Sequence, residues 1–106
     1  MGTLNITEVR INKVDGDEKL RAFAAIVLDE AFLVGDLRVV EGEEGYFVAM
    51  PSKRRRDGSF KDTAFPLNNE VRAALERRVL LAYEEATGLR ALSRMEEGET
   101  ATVRPD

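Results

Sequence analysis

The residues best suited to chemistry lie in one short segment, 52 to 61, which reads SKRRRDGSFK. Arginine side chains match phosphate oxygens in bidentate geometry, and a tight turn such as Asp57-Gly58 presents backbone N–H groups to the same anion. We therefore predict a phosphate-binding loop. The alternative is a solvated loop whose charges keep a sheet edge from pairing with other chains. The five cations that would bind phosphate fall within nine positions: Lys53, Arg54, Arg55, Arg56 and Lys61.

The charge of the whole chain limits how this segment can work. The 106 residues carry a formal net charge of −4, so the protein has no general attraction to nucleic acid or anionic membranes. One cationic loop would bind a polyanion weakly, because affinity grows with the number of phosphates neutralised. Two copies in a dimer would strengthen binding through avidity. Phe60 and Phe65 flank the cations and have rings able to stack on bases, but we expect both to be buried in the core.

Catalysis and metal binding have little support in the composition. The chain contains no histidine and no cysteine, which removes the commonest general base, the thiol nucleophile and the commonest transition-metal ligand. The acidic run DGDE, 15 to 18, is interpreted as a hairpin turn, because it lacks the glycine and the distal glutamate of an EF-hand loop. We therefore predict that the protein is not an enzyme and uses no cofactor and no metal.

The first two thirds of the chain show the alternation of apolar and polar residues that is typical of β-strands. The alternation changes phase at Thr7-Glu8, which predicts a bulge or a bend. The run LRAFAAIVL, 20 to 28, is apolar on both faces, which predicts a central strand covered on both sides. Closely spaced turn signals follow, and 60 to 66 has the pattern of a last short strand. We expect an antiparallel meander of about five strands.

A helical period replaces the strand pattern near residue 69. Asn68-Asn69 supplies N-cap chemistry and Gly88 is a plausible C-cap, so the predicted helix runs from about 69 to 87. Leu80 lies roughly opposite the main apolar stripe and Leu81 lies on its flank. These two leucines are either isolated surface residues or a second face buried against a partner chain, and we take them as a candidate dimer interface. The main stripe comprises Val71, Leu75, Val79, Ala82, Tyr83 and Ala86.

The predicted fold class is α+β, with one domain over residues 1 to 92 and a polar, flexible tail over 93 to 106. The length suits a single domain with one modest core. The N-terminus has neither the cationic start nor the apolar run of a signal peptide, and no stretch is long enough to span a membrane. The absence of cysteine fits a reducing compartment. We expect a cytoplasmic protein.

Several motifs resemble those of the SpoVG family, the stage V sporulation protein G or septation regulators. The run FVAMPSKR, 47 to 54, is followed by DGSFKD, 57 to 62, and then by Pro-x-Asn before the helix. The upstream run LRAFAAIVLDEAFLVGDLRVVEG is similar to the family's second and third strands. The resemblance covers about residues 6 to 87. It implies a small antiparallel sheet with a C-terminal helix, assembled as a homodimer.

The resemblance also implies a bacterial cytoplasmic protein tied to septum formation and sporulation, in a family described as binding DNA and RNA. The family's basic loop maps onto Lys53 and Arg54. Two departures stand out. Arg55-Arg56 replaces the Thr-Pro that the family often has, which strengthens the positive charge and removes a proline. Phe65 stands where the family often has a histidine, so no role of that histidine carries over.

We accordingly expect a dimeric, non-enzymatic regulator that binds DNA or RNA through segment 52 to 61 and is linked to cell division. The attraction is electrostatic, and any sequence preference comes from base edges or nucleic-acid shape. The alternative is a protein-interaction module of the septation machinery. In that case the cations dock an acidic division or regulatory protein, and nucleic acid is incidental.

Overall fold

The computed structural model describes residues 5–15 and 19–88, and it confirms an α+β fold with one long helix after an antiparallel sheet. Four strands form the sheet in the order β1-β2-β3-β4, and β5 pairs with β6 in a separate ribbon. The expected single meander of about five strands is thus divided, because Pro51 has no N–H to continue the ladder beyond β4. The elements are β1 Ile6–Lys13, β2 Leu20–Leu28, β3 Phe32–Gly42, β4 Gly45–Ala49, β5 Ser52–Arg54, β6 Phe60–Asp62 and α1 Asn69–Thr87.

The predicted bulge at Thr7 is confirmed, and it supports the turn between β2 and β3. The β1–β2 register shifts between Ile6 and Glu8. The Thr7 hydroxyl accepts a hydrogen bond from the Glu30 N–H at 3.0 Å and donates one to the Val27 carbonyl at 3.3 Å. Asp29 and Glu30 both have a φ of 54°, as in a type I′ turn. The sequence signal was weak here because neither residue is glycine or asparagine, and contacts from β1 help to hold the turn.

The helix begins and ends where its capping residues predict. The Asn68 side chain accepts a hydrogen bond from the Val71 N–H at 2.8 Å. Gly88 has a φ of 79°, and its N–H donates to the Glu84 carbonyl at 2.7 Å. The left-handed conformation at Gly88 is one that residues with a Cβ rarely adopt. The predicted bounds of 69 to 87 are confirmed.

The core lies between α1 and one face of the sheet, and it includes Leu80. The helix contacts all four strands of the main sheet. It therefore buries a wide part of its circumference, which includes both Val71 and Leu80. Leu80 is fully buried within the single chain, whereas Leu81 is 37% exposed. The expectation that one-sided packing leaves Leu80 uncovered is therefore wrong, and Leu80 has no free surface to offer a partner. The central buried side chains are Ala22, Ala24, Ile26, Leu37, Val39, Val48, Leu75, Val79 and Tyr83.

The opposite face of the sheet has no covering layer within the described residues. Phe23 is 42% exposed and Phe47 is 39% exposed. The prediction that β2 is covered on both sides is thus wrong for the single chain, because the one helix packs on one face only. The strand registers place apolar side chains of three strands on this uncovered surface, here called the open sheet face, and Arg38 lies opposite Phe23 on the same face. The larger apolar side chains there include Phe23, Val27, Leu33, Val40 and Phe47.

Glu76 is a buried carboxylate that binds the free edge of β4. It is 6% exposed, and its Oε2 accepts a hydrogen bond from the Val48 N–H at 3.1 Å. Strand β4 is the last in the sheet, so this N–H has no strand partner beyond it. The helix side chain therefore satisfies a buried donor that would otherwise lose its hydrogen bond on folding.

Replacing Glu76 with alanine is expected to lower the free energy of unfolding by about 1–3 kcal/mol, because the buried Val48 N–H loses its acceptor. Guanidinium denaturation followed by circular dichroism measures the change. Glu76→Gln is the matched control, since its amide oxygen can still accept the hydrogen bond, and it should lose less. Equal stability of the alanine and glutamine variants would contradict the role given to this hydrogen bond.

The remaining domain predictions concern residues that are only partly described. The predicted turn at 15 to 17 lies mostly outside the described residues, and the predicted tail at 93 to 106 lies entirely outside them. The single-domain boundary at residue 92 stays a prediction.

Candidate nucleic-acid interface

The predicted phosphate-binding segment is a β-hairpin that projects from the sheet, here called the basic hairpin, residues 52 to 62. Its strands β5 and β6 pair Lys53 with Lys61 and Arg54 with Phe60. Because side chains alternate between the two faces of a strand, the two lysines share one face, and Arg54 and Phe60 share the other. The structure thus brings all five predicted cations onto one small element, with Arg55 and Arg56 at its tip.

The tip of the basic hairpin is a tight turn whose acidic residue faces its own backbone. The Arg55 carbonyl accepts a hydrogen bond from the Gly58 N–H at 3.0 Å, and Gly58 has a φ of 91°. Asp57 Oδ1 accepts hydrogen bonds from the Ser59 hydroxyl at 2.6 Å and the Ser59 N–H at 2.9 Å. These bonds, the one from the hydroxyl first, lower the pKa of Asp57. Its carboxylate therefore organises the turn and forms no ion pair with a neighbouring arginine.

All five cations of the basic hairpin are exposed, and none is in an ion pair with any carboxylate of the described residues. The ion pairs found in this part of the chain lie elsewhere, between Arg10 and Glu8 at 2.9 Å and between Arg21 and Glu41 at 2.8 Å. In each pair, a hydrogen bond to the carboxylate raises the pKa of the arginine. The positive charge of the hairpin is thus left available to a ligand.

Arg38 fixes the base of the basic hairpin to the sheet. Its Nη2 donates to the Met50 carbonyl at 3.0 Å and lies 3.5 Å from the Ser52 hydroxyl oxygen. On the returning strand, the Thr63 N–H donates to the Pro51 carbonyl at 2.8 Å. Sequence reasoning did not identify Arg38 as part of the site. A signal was present, since Arg38 is the one cation within the apolar run LRVV of β3.

Phe60 and Phe65 are exposed, so the expectation that both are buried in the core is wrong. Phe60 is 69% exposed and Phe65 is 56% exposed. Phe60 lies on the ribbon of β5 and β6, which is separate from the main sheet, and Phe65 lies in the segment between β6 and α1. Two aromatic rings therefore accompany the cations at the surface, as in many proteins that bind single strands.

An apolar groove lies beside the basic hairpin, between the sheet and the start of α1. Its volume is about 510 Å³, and Asn68 is the one polar residue in its lining. The groove therefore holds no acid, base or nucleophile that would make it a catalytic pocket. Its walls include Leu28, Val34, Met50, Phe65, Leu67 and Val71.

Residues 5–15 and 19–88 contain no group of three or more acidic side chains placed to hold a metal ion. None of the described helical structure is both long enough and apolar enough to cross a membrane.

Together, the fold and the surface define a small sheet-and-helix protein with a basic hairpin that is anchored to the sheet. The cations of this hairpin form no ion pairs with the described carboxylates. The chain belongs to the SpoVG family, whose model matches residues 4–85. A protein of Anaeromyxobacter sp. is 52% identical over 81 residues, which cover 76% of this chain and 82% of that protein. A protein of Staphylococcus saprophyticus is 49% identical over 82 residues, which cover 77% and 81%. Both relatives carry the name "Putative septation protein SpoVG".

Proposed function

We propose that this chain is a dimeric bacterial regulator that binds the phosphates of DNA or RNA through its basic hairpin. The observation that carries the proposal is the group of five exposed cations without ion pairs, on a hairpin anchored to the sheet of a net-negative chain. The closest acidic residue of the tip, Asp57, is bound to Ser59.

The proposed mechanism is electrostatic and non-enzymatic. The arginines bind phosphate oxygens, and the lysines add point charges that displace counterions from the nucleic acid. The names of the relatives support a role in septation, and the family name supports a link to sporulation. We infer that the protein acts in the cytoplasm, where a bacterial chromosome and its transcripts are accessible. The absence of cysteine fits this reducing compartment, in which disulfides are rare.

The open sheet face supports dimerisation as part of this proposal. A face with apolar side chains on three neighbouring strands, β2, β3 and β4, is unusual in a monomer and typical of an interaction surface. A second copy can cover it with the same face, because a two-fold interface brings identical surfaces together. Two basic hairpins on one assembly would then act on the same nucleic-acid molecule.

Salt dependence tests the proposed contact mode. We expect log affinity for a labelled DNA or RNA to fall linearly with log salt, with a slope that corresponds to roughly 4–8 neutralised phosphates if both hairpins bind. Fluorescence anisotropy across a sodium chloride series measures it. A flat response would contradict phosphate binding by the cations.

The alternative is a protein-interaction module of the septation machinery, which the names of the relatives also favour. The same exposed cations would then bind an acidic surface on a division or regulatory protein. Failure to bind any DNA or RNA at low salt would support this alternative, since phosphate binding is strongest under that condition.

A further inference from the structure

One face of the basic hairpin combines a cation with an aromatic ring. Arg54 and Phe60 are directly opposed across β5 and β6, and both side chains are exposed. Opposed residues of an antiparallel pair have Cβ atoms about 4.5–5.5 Å apart. A cation that can bind a phosphate and a ring that can stack on a base lie side by side on this face. The face can therefore bind both groups of one unpaired nucleotide at once.

On the other face of the same ribbon, two lysine side chains repel each other. Lys53 and Lys61 are directly opposed, and like charges in this position destabilise a strand pair. No described carboxylate forms an ion pair with either lysine. A two-stranded ribbon of three residues per strand has little stability to spare. A ligand that carries both negative charge and a flat apolar surface would therefore suit both faces of the ribbon.

We propose that the basic hairpin prefers single-stranded nucleic acid, with a base stacked on Phe60 and a phosphate bound by Arg54, while the lysines on the opposite face bind further phosphates of the same strand; this rests on the proposed function. The bases of a duplex show only their edges in the grooves, so a ring on a hairpin can stack on them only by opening a base step, which costs free energy. The bases of a single strand expose their faces, and stacking on aromatic side chains is how such strands are commonly held. An exposed ring beside five cations therefore favours a single strand.

Replacing Phe60 with alanine tests this inference. Loss of one stacked base predicts a fall in single-strand affinity of about 5- to 150-fold, with duplex affinity within about two-fold of the wild type. The probes are one labelled 20-nucleotide sequence as single-stranded DNA, as single-stranded RNA and as duplex DNA, measured by fluorescence anisotropy at equal salt. The two single-stranded probes distinguish DNA from RNA as the preferred source of bases.

Phe32→Ala is the matched control, because Phe32 is 65% exposed, lies outside the basic hairpin and loses the same side chain. Phe60→Tyr should retain most single-strand affinity, since it keeps the ring. The inference is overturned if Phe60→Ala leaves single-strand affinity unchanged or weakens single-strand and duplex binding equally. In those cases the proposed function still stands, provided that the hairpin arginines are required. If the wild type binds none of the three probes, both the inference and the proposed function fail.

Discussion

Replacing Arg54, Arg55 and Arg56 together with alanine is expected to reduce DNA and RNA binding to background. The triple variant removes three of the five hairpin cations from each chain, so the proposed dimer loses six of its ten positive hairpin charges. Because affinity depends steeply on the number of phosphates neutralised, the loss should be on the order of 100-fold or more at low salt. Mobility shift and anisotropy with the same probes measure this loss.

The fold should survive this substitution. All three arginine side chains are exposed, and surface changes of this kind usually alter the free energy of unfolding by no more than about 0.5 kcal/mol. A matched control replaces Lys13, Lys19 and Arg72 with alanine, which changes the net charge equally and leaves the hairpin intact. Undiminished affinity in the arginine variant, or an equal loss in the control, would remove the hairpin from the mechanism.

Placing charges on the open sheet face is expected to produce monomers and to weaken nucleic-acid binding strongly. Phe23→Glu and Phe47→Glu together would bury four carboxylates in a face-to-face dimer, which is costly for unpaired charges. Linking two binding elements can raise affinity by about 10²–10⁴-fold, and this gain is lost when the copies separate. Light scattering coupled to size exclusion gives the mass, and anisotropy gives the affinity.

A second double variant controls for the added negative charge. Phe32 is 65% exposed and Leu67 is 89% exposed, and neither belongs to the open sheet face. Phe32→Glu with Leu67→Glu adds the same charge and should leave the mass of the dimer unchanged. If this control forms monomers while the Phe23 and Phe47 variant stays dimeric, the interface lies near Phe32 or at the part of the apolar groove lined by Leu67 instead.

Local signals in the sequence were sufficient for the helix and for much of the sheet. Asn68 and Gly88 define the ends of α1 through hydrogen bonds to residues three or four positions away, so their chemistry can be read without the fold. The phase change at Thr7 likewise predicted a bulge. The basic hairpin was predicted as a site because charge and turn chemistry coincide within ten residues.

Long-range packing decided what the sequence did not reveal. Burial of Leu80 depends on how many strands the helix crosses, which helical periodicity alone does not report. Phe60 and Phe65 are of a residue type common in protein cores, but Phe60 lies on a ribbon separate from the main sheet and Phe65 lies in the segment that leads to α1, so both stay exposed. Arg38 anchors the hairpin through a carbonyl twelve residues away, a contact that only the pairing of β3 with β4 creates.

The carboxylate of Glu76 on β4 also bears on how large an assembly can grow. One lateral border of the sheet is partly blocked by this side chain, and the other border, β1, carries charged residues such as Glu8, Arg10 and Lys13. Both features discourage the edge-to-edge pairing of sheets that produces fibres. The proposed pairing of two copies through their open sheet faces is self-limiting instead, because each face is covered once it is matched. Growth would therefore stop at two.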